Sequence, residues 1–328
     1  ERHYVRMSIL FASSELKMSL KLGVHVGQQN MAMSAMRQLW RRLDQAKVDW
    51  ISAWDHFYEA PPAGGTQDHF EAMTTLGALA AETSHATLGC LVFYVGYRNP
   101  ASIAKAASTL DHISGGRFEL GLGAGWHEQE ASAFGYDFPP VGQRLDMLDE
   151  ATTIIKSMLR EERTTFNGKY YHVDNASNLP KPVQEELPIW IGGLGEKKTL
   201  KIVAKHADGW NAAYTSVEHF AHLNQVLDNW CEQIKRDPTS IKRSINLTFN
   251  LAIDAKGAEA ERTKLREDWG PVAGRIEAGA LLGTPDEAVD RVRKYQVAGA
   301  DQVNIALRAP WNDEALNAYI EEVIPALR

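Results

Sequence analysis

Short apolar runs alternate along this chain with longer stretches in which apolar residues recur every three or four positions. The runs at 20–26, 48–54, 86–94, 117–122, 188–191, 209–212, 245–253 and 301–306 predict eight strands. Between most of them lie helical patterns. In 144–159, for example, Leu145, Leu148, Ile155 and Leu159 recur on one face. Strand–helix alternation repeated through a chain is the mark of a parallel α/β fold, and eight repeats predict a (β/α)8 TIM barrel. A doubly wound open sheet with a similar strand count is the competing architecture.

Two connections break the alternation. Residues 163–188 contain Asn167-Gly168, a two-residue hairpin signal. Residues 264–283 carry Trp269, Gly270, Pro271 and further glycines, and read as a long excursion before a helix near Thr284-Pro285. Such insertions after a barrel strand build the wall of the C-terminal mouth.

The chain has 328 residues, within the span of a single barrel domain, here placed at 20–328 behind an N-terminal extension at 1–19. Its net charge of −7 argues against a nucleic-acid partner and leaves a small-molecule substrate as the expectation. Cys90 and Cys231 form no CxxC pattern, so neither a disulfide framework nor a zinc site is expected, and a reducing cytoplasm is the natural compartment. The apolar run at 7–12 is too short to span a bilayer, and no membrane association is expected. There is no HExxH or carboxylate-rich pattern to suggest a metal centre.

Candidate chemistry falls at the predicted strand C-termini, where barrel enzymes carry it. Strand 2 ends in Asp55-His56. An imidazole there can exchange a proton near neutral pH, although a histidine tied to a backbone carbonyl is an equal reading of its position. Asp55 could orient His56, accept a hydrogen bond from a cofactor ring, or cap the next loop. Gly192, Gly193, Leu194, Gly195 and Glu196 lie at the predicted start of a helix. Free amides and the positive helix end there suit a phosphate, with Lys197, Lys198 and Lys201 as further candidates. The run at 121–125 superficially resembles a dinucleotide fingerprint, but the third glycine is missing at the required spacing and the Rossmann reading fails.

The motifs then converge. Tyr97-Arg98-Asn99-Pro100, the segment Ser114-Gly-Gly-Arg-Phe-Glu-Leu-Gly-Leu-Gly-Ala-Gly-Trp-His-Glu128, Phe138-Pro-Pro-Val-Gly-Gln-Arg144, Pro188-Ile-Trp-Ile-Gly-Gly193, Ala207-Asp-Gly-Trp-Asn211 and Gly283-Thr-Pro-Asp-Glu287 together resemble the luciferase-like monooxygenase superfamily from about 20 to 310. Within it the wording most resembles the branch of coenzyme F420-dependent oxidoreductases. The resemblance implies a barrel whose mouth holds a deazaflavin or flavin ring. It implies that Asp55 contacts the ring and that His56 is catalytic. It further implies that Leu91, Val92 and Tyr94 form a backrest around a non-proline cis peptide, that Gly123 and His127 lie against the cofactor, and that Gly192-Gly193 adjoin its phosphate.

Two departures are evident. The catalytic glutamate that F420-dependent sugar-phosphate dehydrogenases carry after strand 4 falls on Ala124, and a tryptophan following their histidine falls on Ala60. Oxidation of a sugar phosphate is therefore not expected. The leading expectation is hydride transfer between reduced F420 and an unsaturated or carbonyl-bearing substrate. The alternatives are an FMN-dependent monooxygenase fed by a partner reductase, and a barrel that binds a flavin-like ligand without catalysis. A homodimer is the expected assembly.

Overall fold

The computed structural model describes residues 20–59 and 64–328, so the expected extension at 1–19 lies outside the described residues. Twelve strands are found among them: β1 (Lys21–Val26), β2 (Trp50–Ala53), β3 (Thr87–Cys90), β4 (Phe93–Tyr94), β5 (Phe118–Gly123), β6 (Thr164–Asn167), β7 (His172–Ala176), β8 (Ile189–Gly192), β9 (Gly209–Ala213), β10 (Lys242–Leu251), β11 (Ala280–Gly283) and β12 (Gln302–Leu307). Parallel pairing runs β1-β2-β3-β5-β8-β9-β10-β12 and returns to β1, which closes an eight-stranded barrel and excludes the open sheet.

The apolar runs are continuous because barrel strands are covered on both faces. In β1 only Lys21 is exposed. Outside the strands, helices such as Met33–Gln45 bury one stripe, here Met36, Leu39, Trp40 and Leu43. Local sequence sets the ends of Pro100–Ser114: the Asn99 side chain accepts from the Ala101 amide, Pro100 opens the first turn, and Gly115 closes the helix at φ +68°. Inside the barrel, Asn246 Oδ1 accepts from Asn211 (3.1 Å) and Asn304 (2.9 Å), tying three neighbouring strands together.

Both irregular connections carry structure of their own. The hairpin β6–β7 forms, but its turn spans four residues, 168–171, rather than the two that Asn167-Gly168 predicts. The Glu150 carboxylate explains the difference. It accepts from the amides of Lys169, Tyr170 and Tyr171 at 2.8–3.1 Å and so satisfies a wider turn. The later excursion folds into the helices Ala255–Trp269 and Ala273–Ala278 and into β11, which extends the sheet beside β10. Among the described residues no helix is long and apolar enough to cross a membrane.

Candidate active site

The predicted third strand, 86–94, is broken in two. From Gly89 to Phe93 is four residues, whereas their partners on β5, Glu119 and Leu122, are three apart, so one extra residue bulges out. The Leu91–Val92 peptide at this bulge is cis. Val92 thereby enters the barrel mouth, and the neighbouring glycines make room for it. A Cβ on Gly123 would lie 2.3 Å from Val92 Cγ2, and one on Gly192 would lie 2.9 Å from its Cγ1. These two glycines thus have a packing reason independent of any ligand.

Asp55, at the end of β2, fastens the far side of the bulge. Its carboxylate accepts from the Tyr94 amide at 3.0 Å and from both ends of the Arg98 guanidinium at 2.7 and 2.9 Å. Burial pushes the Asp55 carboxyl up while Arg98 pulls it back. The two-pronged geometry is that of an ionised pair. Arg98 also reaches Glu71 at 2.6 Å.

His56 follows directly, and its Nδ1 lies 3.1 and 3.2 Å from the two oxygens of Glu130. Glu130 is wholly buried. It also accepts from the amides of Phe57 (2.8 Å) and Tyr58 (2.9 Å) and from the Tyr97 hydroxyl (2.7 Å). Burial alone would raise its pKa, but His56, Tyr97 and the amides outweigh it and hold the carboxyl down at about 2. The backbone-carbonyl alternative for His56 therefore gives way to a buried carboxylate. Among the described residues Nε2 of His56 has no hydrogen-bond partner, and the ring lines the barrel cavity beside Trp126 and His127, with centroids 5.2 and 5.9 Å away.

That cavity, of about 850 Å³, opens at the C-terminal end of the strands. It lies within the size range of sites that enclose a cofactor-sized ligand. Asp55, His56, Leu91, Val92, Tyr94, Gly123, His127, Gly192, Gly193 and Gly195 all line it. Three buried polar atoms of residues on its wall, the Tyr94 hydroxyl, His127 Nε2 and Arg308 Nε, have no partner among the described residues, an arrangement that buried groups avoid unless something else satisfies them. Burial lowers the pKa of His127 and so favours the neutral ring.

The turn after the fifth barrel strand faces the cavity only in part. Leu194 and Glu196 are not on the cavity wall. Leu194 packs against the core, while the Glu196 carboxylate lies 3.2 Å from His222 and its carbonyl accepts from Trp230. The helix predicted from 196 begins at Thr199, because Gly193 turns the chain at φ +136° and Gly195 packs against the Thr199 side chain before a helical turn can start. Lys198 binds Asp146 and the Gly142 carbonyl, and Lys201 sits over the Trp230 ring, so both are engaged away from the cavity; Lys197 is exposed.

Sequence reasoning did not single out Glu130, Tyr97, Arg98 or Arg308. Glu130 stands three residues after His127, just beyond the motif that ends at Glu128, and nothing local marks it as a partner of His56. Buried His25 was also passed over. Its Nδ1 lies 2.8 Å from Ser52 Oγ, and burial, reinforced by the charge of Arg308, lowers its pKa to about 3.

Residues 15–270 match the family model for luciferase-like monooxygenases. An uncharacterised protein of Mycobacterium tuberculosis is 32% identical over 221 residues, which cover 67% of this chain and 72% of that one. The F420-dependent glucose-6-phosphate dehydrogenase of Kineococcus radiotolerans is 28% identical, with 94% of this chain and 97% of that one covered. Among solved structures, an F420-dependent secondary alcohol dehydrogenase in complex with an F420-acetone adduct superposes with a TM-score of 0.82 at 20% identity, covering 95% of this chain and 100% of the other. The long-chain alkane monooxygenase LadA does so with 0.77 at 17%, covering 95% and 92%. At such identities the structural likeness concerns the fold.

Proposed function

Because this chain belongs to the luciferase-like monooxygenase family, we propose that it is an F420-dependent oxidoreductase that passes a hydride between the deazaflavin and an unsaturated or carbonyl-bearing organic substrate. The observation that carries the reading is the His56–Glu130 pair on the wall of the cavity, beside the bulge at Leu91–Val92. Similarity along nearly the whole chain to a dehydrogenase named for F420 favours the deazaflavin over FMN.

The residues present fit such a group. Val92, seated against Gly123 and Gly192, lines the cavity as an apolar surface against which a flat ring can lie. The unpartnered Tyr94 hydroxyl and His127 Nε2 would meet its polar edge. Gly193 and Gly195 would flank its phosphate, with Leu194 and Glu196 outside the contact. The bound deazaflavin supplies a carbon centre that accepts or donates hydride. Asp55 would act through the bulge, since Tyr94 and Arg98 already use its oxygens.

The protein's own part in the chemistry is to orient the reactants and to move one proton. Glu130 holds Nδ1 of His56 and so fixes the ring plane, which leaves Nε2 to give or take the proton that accompanies hydride transfer. Tyr97 donates to Glu130 from its buried position, and the exposed Trp126 ring stands edge-on beside His56.

Two titrations of the purified protein, followed by absorbance with F420 and with FMN, test the reading. Tight binding of F420, weak binding of FMN and anaerobic bleaching of F420 by a secondary alcohol or another reduced substrate are expected. Preferential binding of FMN, with oxygen consumption when reduced FMN is supplied, would replace the proposal with the oxygenase reading.

A further inference from the structure

The cavity holds a cation that no acid among the described residues neutralises. Arg308, just beyond the end of β12, lies with its guanidinium carbon 5.4 Å from the ring centres of both Trp54 and Tyr214. Among the described residues its one hydrogen bond goes from Nη2 to the Tyr214 hydroxyl at 3.2 Å, and its Nε is buried without a partner. No carboxylate lies within ion-pair distance of it among the described residues. Two guanidiniums close to the mouth are saturated. Arg98 bridges Asp55 and Glu71, and Arg144 donates to the carbonyls of Ala124 and Pro139.

The acids of the cavity offer it no relief. Asp55 is engaged by Arg98, and Glu130 by His56, Tyr97 and two amides. A partly buried, unpaired charge is costly to hold unless an ion arrives to pair with it. The two flanking rings meanwhile fix the guanidinium at little further entropic cost when it binds a ligand. Arg308 also lines a second, smaller cavity of about 440 Å³, and so stands where the two meet.

We propose that Arg308 is a substrate-anchoring residue that takes a carboxylate carried by the substrate, in the same cavity as His56. The inference rests on the oxidoreductase reading above only for the word substrate. A planar monoanion suits the site better than a phosphate dianion, because one guanidinium offers one charge and a flat fork of donors. The other guanidinium on the wall, that of Arg275, is exposed. An acidic group could also come from the cofactor, so the test separates the two sources.

Calorimetric titration of the cofactor-free protein with 3-phenylpropionate and with its neutral amide reads the charge preference directly. The acid should bind at least tenfold more tightly than the amide. Arg308→Met should abolish the difference, and Arg308→Lys should keep part of it. In the F420-loaded protein the acid should bind with unchanged affinity. Equal binding of acid and amide, absence of binding by both, or a preference that survives in Arg308→Met would overturn the proposal. Displacement of the acid by F420 would overturn it too, by assigning Arg308 to the cofactor. If F420 does not bind at all, the cofactor reading fails on its own, while the acid–amide comparison still decides the role of Arg308. Should Arg308→Met not fold, the wild-type comparison and Arg308→Lys decide it.

Discussion

Glu130→Gln removes the negative charge under His56 while keeping the shape of the side chain. The carboxyl sits at about 2 in the folded protein against an ordinary 4.5. That difference corresponds to about 3 kcal/mol of preferential stabilisation of the charged form. Glu130 is fully enclosed, so solvent does not screen it. The sign follows from linkage: a carboxyl depressed on folding contributes fully above its unfolded pKa, and the contribution is lost as pH falls from about 4.5 through about 2. Glutamine cannot titrate, and its NH2 group must face one of the four donors that the carboxylate served.

The variant should therefore be about 3 kcal/mol less stable than the parent at pH 7, and the gap should narrow by about 2 kcal/mol by pH 3. Urea unfolding followed by tryptophan fluorescence at several pH values reads both quantities. Titrating groups remote from Glu130 are shared by the two proteins and cancel in the difference. Turnover should fall on the order of a hundredfold, because a loosened imidazole no longer presents Nε2 in one orientation. A stability gap that stayed constant from pH 7 to pH 3 would show that the carboxylate is not held as the geometry describes.

Three other substitutions probe separate parts of the site. His56→Ala should lower kcat by about 10² to 10⁴ and leave the dissociation constant of the cofactor nearly unchanged, as steady-state kinetics beside a binding titration would read; unchanged kcat would return His56 to a structural role. Gly193→Val forces a β-branched residue to φ +136° with its Cβ 3.0 Å from Thr199 Cγ2, and cofactor affinity should drop with a loss that persists at moderate salt. Equal affinity for F420 and FMN in that variant and its parent would move the phosphate elsewhere on the rim. Arg98→Met leaves the Asp55 carboxylate buried and uncompensated, and should cost about 3–5 kcal/mol in denaturant unfolding; a loss below 1 kcal/mol would mean that Asp55 is satisfied without it.

The barrel itself was legible in the amino-acid pattern. A strand buried on both faces must be apolar throughout, and a surface helix must carry its apolar residues on one stripe, so periodicity of a few residues announces both. Capping is equally local, and Asn99-Pro100 with Gly115 marks a helix from end to end. The family motifs carried the position of the strand-3 bulge and of His56.

Turn length and partner choice were decided elsewhere. The hairpin widened to four residues because Glu150, on a helix already past, happened to offer a carboxylate to three amides. Glu130 and His56 are 74 positions apart, and Asp55 and Arg98 are 43 apart. No local period relates such residues. Arg308 reaches Trp54 only because β12 pairs with β1 and closes the ring. Side chains at strand ends that are remote in sequence become neighbours around the mouth of a closed barrel, and the low dielectric there makes each pairing a matter of several kcal/mol. The sequence alone thus marks where the barrel strands and their helices lie to within a few residues, while closure of the barrel decides which charges meet.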